Sequence, residues 1–174
     1  MTAATRVEPS RVRWIPAYVA LGSNLDDPQQ QVERAFDALA DLSRSRLVLC
    51  SALYRARPFG PVVQPDFVNA VAGLLTQLDA ATLLQELKSL EATLGRAAPV
   101  VRWGPRRIDL DLLVHGTTQC QEPHLHVPHP GIPDRAFVLA PLCDVSPSLL
   151  VPGVGRVRDL LARLDLDGLE RIDR

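Results

Sequence analysis

The chain has 174 residues, a formal net charge of −1, 47% hydrophobic residues and 22% charged ones. That is one ordinary globular domain with enough chain to bury a core, about 70% of the surface its unfolded form exposes. The near-neutral charge disfavours a nucleic-acid binder working through bulk basicity, and the absence of long charged runs argues against disorder. No apolar stretch reaches the roughly 18 residues of a membrane-spanning helix. Three cysteines, Cys50, Cys120 and Cys143, show no CxxC spacing, which points away from a disulfide framework and towards a reducing cytoplasm. Residues 1–14 contain Arg and Pro but no apolar signal-peptide region, so they are expected to be an N-terminal tail, with 15–174 as a single domain.

In chain order, Ile15 to Leu21 is a short apolar run ending in Gly22-Ser23-Asn24, the pattern of a strand and turn. Asp27 before Pro28 is a cap followed by proline at the first helical position. Val32, Ala35, Phe36 and Leu39 then follow at helical spacing, so 28–40 is predicted helical. Arg46 to Tyr54 reads as a second strand. The segment with Pro58, Gly60, Pro61 and Pro65 reads as a loop, and Phe67 to Leu75 as a third strand. Asp79 caps a helix over 80–94, with Leu83, Leu84, Leu87, Leu90 and Leu94 on one face. Glu91 falls inside that apolar arc, where a carboxylate needs a partner or a route to water. Gly95 ends the helix, and Arg107 to Val114 reads as a buried strand. A loop holding Pro128, Pro130 and Pro133 precedes a short helix over Asp134 to Leu142, and another short helix lies near Val157 to Leu164. The order β-α-β-β-α-β predicts an α+β fold, a ferredoxin-like antiparallel sheet with flanking helices, which we expect on one face.

Asp109 and Asp111 stand two apart on a predicted strand, so both carboxylates share a face and Ile108, Leu110 and Leu112 take the other. Two like charges this close call for a neutralising partner, either Mg²⁺ or neighbouring arginines. Arg96, Arg102, Arg106 and Arg107 lie just before them, with Trp103 among them. Arginines beside a two-carboxylate strand suit a polyphosphate held with metal, the pattern of phosphoryl transfer. His124, His126 and His129 invite a zinc reading with Cys120. His124 and His126 would share a strand face, but Pro128 and Pro130 put the third ligand in doubt, and hydrogen bonding to a phosphate or ribose is the alternative. Phe67 and Asn69 share one strand face, as a site for a flat heterocycle would require, although a strand Phe is most often core.

The string R-W-G-P-R-R-I-D-L-D-L-L (102–113) resembles the signature of the 6-hydroxymethyl-7,8-dihydropterin pyrophosphokinases. A-Y-V-A-L-G-S-N-L (17–25), F-G-P-V-V-Q-P-D-F-V-N-A (59–70), L-E-A-T-L-G-R (90–96) and V-P-H-P-G-I-P-D-R-A-F-V-L-A-P-L (127–142) match further family blocks in order, so the resemblance spans about 17–150. It implies transfer of pyrophosphate from ATP to the pterin's hydroxymethyl oxygen, releasing AMP, by in-line attack on the β-phosphorus. It also implies two Mg²⁺ ions on Asp109 and Asp111, with Arg96 and Arg106 steadying the transferring group. Lys88, Glu91, Arg96, Trp103, Arg106, Leu112, His129 and Arg135 match ATP-site positions, and His124 and His126 align with nucleotide-contacting positions of different residue type. Ala56, Arg57, Phe59, Phe67, Asn69, Trp103, Asp109 and Phe137 match the pterin pocket, with Phe67 and Phe137 on the ring faces. The segments around 57–65 and 97–102 match parts that close over the site. The chain departs from the family pattern at Ala97-Ala98-Pro99, which lacks an arginine. Lys88 stands in place of a neutral amide, Phe67 in place of Tyr, and Pro130 in place of an aromatic. Beyond ATP and the pterin the expected partners are none: no nucleic acid, no membrane, and a cytoplasmic monomer. The competing readings are another two-metal nucleotidyltransferase, which would release pyrophosphate, and a degenerate nucleotide- or pterin-binding module.

Overall fold

A computed structural model describes residues 13–58, 60, 62–95 and 104–172. Among these, β1 (Ile15–Ser23), α1 (Pro28–Ala40), β2 (Ser45–Cys50), β3 (Leu53–Ala56), β4 (Phe67–Thr76), α2 (Ala80–Thr93) and β5 (Asp109–His115) follow the expected succession with one strand more. The main sheet runs β10 (Leu169–Ile172)-β3-β4-β1-β5, with β2 also paired to β4, and every pairing is antiparallel. β1 and β4 are central, and β5 is an edge strand. Asp27 caps α1 through a bond from the Gln30 N–H, and Asp79 caps α2 through the Thr82 N–H.

Two expectations need correction. The strand read over 46–54 is two strands, β2 and β3, broken at Ser51 and Ala52. The buried Ser51 exchanges backbone and side-chain bonds with Val71: its N–H donates to the Val71 carbonyl, and its Oγ accepts from the Val71 N–H at 2.9 Å. The serine thereby keeps hold of β4 while the chain steps sideways. The second correction concerns the helices, which cover both faces of the sheet. Ala17, Val19 and Leu21 of β1 pack with α1 and α2 in one core. Tyr18 and Ala20 face a second core built with α3 (Ala136–Val145) and α4 (Val157–Leu161). Leu113 and Val114 of β5 both join this second core at a bulge, where the β1–β5 register shifts between Tyr18 and Val19.

Three features fall outside the expected pattern. β6 (Cys120–Glu122) and β7 (Leu125–Val127) form a small hairpin, β8 (Leu150–Val151) pairs β9 (Gly155–Arg156), and β10 (Leu169–Ile172) adds an outer strand to β3. Tyr54 on β3 donates to Asp144 on α3 at 3.0 Å, and the Ala52 N–H donates to the same carboxylate. Burial, and then the facing Asp144 carboxylate, push the Tyr54 phenol up to about 12. These bonds fix α3 against β3 and so set the width of the space between them. No described helix is long and apolar enough to cross a membrane.

Candidate active site

A cavity of about 190 Å³ opens between α3 and the sheet face opposite α1 and α2. At ~30 Å³ per water it is large enough for a ligand rather than one trapped solvent molecule. Its floor follows from strand register. Gly22 of β1 lies directly across from Asn69 on β4 and from Asp109 on β5, and Ala20 lies across from Val71 and Asp111. The smallest side chains therefore sit between the amide on one side and the two carboxylates on the other. At a strand spacing of about 4.8 Å, those two ends are roughly 10 Å apart. A Cβ on Gly22 would meet the Asn69 Oδ1 at 3.3 Å, so the floor must stay bare for the amide to keep its place.

At the amide end, Phe67 and Asn69 share the cavity face of β4, with Ala56 and Arg57 beside them and Phe137 entering from α3. Asn69 is 7% exposed, and its Nδ2 has no hydrogen-bond partner among the described residues. An unpartnered buried N–H is costly, and Asn69 is among the residues that line the cavity, where a ligand acceptor would satisfy it.

At the carboxylate end, Asp109 and Asp111 project from one face of β5 while Leu110 and Leu112 are buried on the other. Arg106 holds Asp109 through Nη1 to Oδ2 at 2.6 Å. Lys88 approaches Asp111 at 3.6 Å. His129 and Arg135 close this end of the cavity. The His129 Nδ1 accepts the Gly131 N–H at 3.0 Å, so a neutral ring carries its proton on Nε2. Burial, the largest influence, pushes the His129 pKa down and favours that neutral ring; Asp111 pulls the other way.

Glu91 is 3% exposed, on the apolar face of α2 as its spacing implied. It accepts the Leu110 N–H at 2.6 Å and the Lys88 ammonium at 2.9 Å, while Lys88 also donates to the Leu110 carbonyl. Together they satisfy the open edge of β5 at Leu110. Burial raises the Glu91 pKa above its ordinary 4.5, against the lowering effect of these two bonds. The folded protein thus holds a proton on Glu91 over a range where the unfolded chain has lost it. Stability attributable to Glu91 falls as pH rises from 4.5 through the folded value. Glu91→Gln should flatten that slope, and urea unfolding of both proteins across pH 4–8 would show parallel curves if it does not.

Lys88, Leu112, His126 and His129 line a second depression of about 240 Å³, which shares Asp111 and His129 with the cavity. His124 lies in the turn between β6 and β7, exposed, and in neither depression. It therefore does not share a strand face with His126, because a two-residue turn separates the short strands. Among the described residues no group of three or more His, Cys, Asp or Glu could hold a metal, which removes the support for a zinc site on these histidines. Phe59, Arg96 and Trp103 lie outside the described residues.

Sequence reading missed Asn24, which is 2% exposed. Its Oδ1 accepts the Arg106 N–H at 2.8 Å, its own N–H donates to the Arg106 carbonyl, and its Nδ2 donates to Gln64 Oε1 and the Pro65 carbonyl. One amide thus joins the segment entering β5 to the segment entering β4. In the sequence it reads only as a turn residue after a strand.

Residues 18–147 match the family model described as 7,8-dihydro-6-hydroxymethylpterin-pyrophosphokinase. The chain is 46% identical over 155 residues to the 2-amino-4-hydroxy-6-hydroxymethyldihydropteridine pyrophosphokinase of Pseudomonas aeruginosa, covering 89% of this chain and 95% of that one. It is 41% identical over 147 residues to the Haemophilus influenzae protein of the same name, covering 84% and 91%. A crystal structure of wild-type Plasmodium falciparum HPPK-DHPS with pterin and p-hydroxybenzoate superposes with a TM-score of 0.70 at 14% identity, over 92% of this chain and 45% of that one. That likeness bears on the fold alone, whereas the family match and the two bacterial relatives settle membership: the chain belongs to the 7,8-dihydro-6-hydroxymethylpterin-pyrophosphokinase family.

Proposed function

We propose that the cavity takes the pterin ring at its Asn69 end and the ATP phosphates at its Asp109–Asp111 end, with the reacting oxygen over the Ala20–Gly22 floor. The activity is that of the family: an ATP-dependent pyrophosphokinase acting on the hydroxymethyl dihydropterin in folate biosynthesis. The single observation behind the placement of the ring is the unpartnered Asn69 Nδ2, flanked by Phe67 and Phe137 in a cavity. A flat, nitrogen-rich ring offers an acceptor to that amide and π faces to the two phenyl rings.

The donor set at the other end fits Mg²⁺. Two carboxylates on one strand face supply hard oxygens, and a magnesium ion characteristically takes one or two carboxylates, the rest of its shell being water and substrate phosphate. Asp109 and Asp111 would hold two such ions, which when bound neutralise charge on the triphosphate. The chain's own residues do the remaining work. Arg106 fixes the Asp109 rotamer through its 2.6 Å bond and adds positive charge beside the reacting phosphates. The His129 Nε2–H and the Arg135 guanidinium face the same end as donors to phosphate oxygens. Lys88, Glu91, Leu112 and His126 form the nucleoside end, along the edge of β5. Arg96, Trp103 and Phe59 are assigned by the resemblance. We further propose that the enzyme is a monomer and works in the cytoplasm, where its three unpaired cysteines would stay reduced.

Chromatography of the nucleotides formed from ATP, Mg²⁺ and 6-hydroxymethyl-7,8-dihydropterin is the test of the reaction. AMP appearing only with the pterin is the expected result. Release of pyrophosphate would indicate nucleotidyl transfer instead. For the placement, Asn69→Ala should raise the KM for the pterin and leave that for ATP unchanged. An equal rise in both would overturn it.

A further inference from the structure

We infer that Gly131 is a positioning residue: its missing side chain is the space in which the Arg135 guanidinium sits. The inference rests on the reading that Arg135 is a phosphate donor. A methyl group on Gly131 would lie 2.7 Å from both the Cζ and the Nε of Arg135 and 3.0 Å from its Nη1. No carbon is tolerated that close. Gly131 is not among the glycines with positive φ, so backbone freedom does not explain its presence. What the position requires is the absence of a Cβ.

The local chain explains why. Gly131 lies in the turn between β7 and α3, four residues before Arg135, the residue that leads into the helix. The turn folds back on itself, with the Ile132 N–H donating to the His129 carbonyl. This brings the Gly131 backbone under the Arg135 side chain, whose guanidinium carbon lies 6.0 Å from the centre of the Phe137 ring. With the turn below and the ring beside it, the guanidinium is directed into the cavity that Asp109, Asp111 and His129 also line. The Gly131 N–H meanwhile orients the His129 ring. An alanine keeps that N–H and leaves His129 in place, but it must push Arg135 aside. The displaced group is the far end of a flexible side chain, so the fold can absorb the change while the site cannot.

The test compares wild type, Gly131→Ala, Arg135→Ala and the double variant, reading ATP affinity at fixed Mg²⁺, steady-state kinetics and Tm. Gly131→Ala should raise the KM and Kd for ATP about tenfold, with kcat within about threefold, the signature of lost ground-state binding. Arg135→Ala should weaken ATP at least as much. The double variant should match Arg135→Ala within about twofold, because both changes act through one guanidinium. Additive losses, or wild-type affinity in Gly131→Ala, would overturn the role of Gly131 while leaving Arg135 as a phosphate donor. Unchanged ATP affinity in Arg135→Ala would instead overturn the donor reading and the inference with it. Should Gly131→Ala lower Tm, the double variant must recover it; a loss persisting after the guanidinium is removed would show a structural role and overturn the inference.

Discussion

Asp109→Asn should lower turnover by about three orders of magnitude without unfolding the protein. The asparagine is isosteric and keeps an oxygen for Arg106, which now donates to Oδ2 at 2.6 Å. It removes the negative charge, and with it half of the hard-anion pair on β5. Stability should change little, because the weaker bond from Arg106 to a neutral amide is offset by relief of the repulsion between Asp109 and Asp111 along one strand face. The expected result is therefore a melting curve near that of the wild type beside a product trace that is almost flat. ATP binding measured in EDTA should be unaffected, and the gain in affinity on adding Mg²⁺ should shrink. Turnover within tenfold of wild type would remove Asp109 from the proposed cation site. Asp111→Asn is the companion experiment. Its side chain is the more exposed, 35% against 19%, and its cationic neighbour is Lys88 at 3.6 Å rather than a close arginine. The two variants should thus share the loss of turnover and differ locally, since only Asp109 is tied to the segment that enters β5.

The parts of this molecule that were legible in sequence are those set by short-range periodicity. Two aspartates at i and i+2 on a strand must share a face, whatever surrounds them. Glu91 at a buried helical position had to find partners, and Lys88 and the Leu110 N–H are those partners. Asp27 followed by Pro28 marked the start of α1 because both residues act on the first turn alone. What failed depended on tertiary approach. α3, with the sequence Ala-Phe-Val-Leu-Ala-Pro-Leu-Cys-Asp-Val, is apolar nearly all round, so nothing in its pattern says which sheet face it covers. β10 is Leu-Glu-Arg-Ile, too short and polar to read as a strand, and it forms because the edge of β3 offers a partner. The roles of Asn24 and Gly131 have no one-dimensional signature at all. One is a buried amide between two segments distant in sequence, the other a missing side chain beneath an arginine.

Asn24→Ala should destabilise the protein by about 1–3 kcal/mol. The residue is buried, and truncation strands two main-chain groups at once: the Arg106 N–H, now 2.8 Å from Oδ1, and the Pro65 carbonyl, now 3.1 Å from Nδ2. An unsatisfied group costs about 1–3 kcal/mol when water cannot reach it; that cost falls mainly on the half-buried Arg106 N–H, because Pro65 is exposed. Gln64→Ala provides the contrast, because it removes one acceptor from Nδ2 and leaves the Pro65 carbonyl in place; its cost should stay below about 1 kcal/mol. Chemical denaturation of the two variants should therefore separate them clearly. Activity should separate them further. Arg106 is held to β1 by the reciprocal backbone and side-chain bonds of Asn24, and Arg106 in turn sets Asp109. Loosening the first link should therefore lower kcat even under conditions where the variant is fully folded, while the KM for the pterin moves less. If Asn24→Ala were destabilised yet kept wild-type kcat at a temperature well below its Tm, the amide would be a structural staple only. The Arg106–Asp109 pair would then be positioned by β5 itself. If kcat falls with the fold intact, the geometry of the reacting end depends on a residue that touches neither carboxylate, through a chain of three hydrogen-bonded groups beginning at the turn after β1.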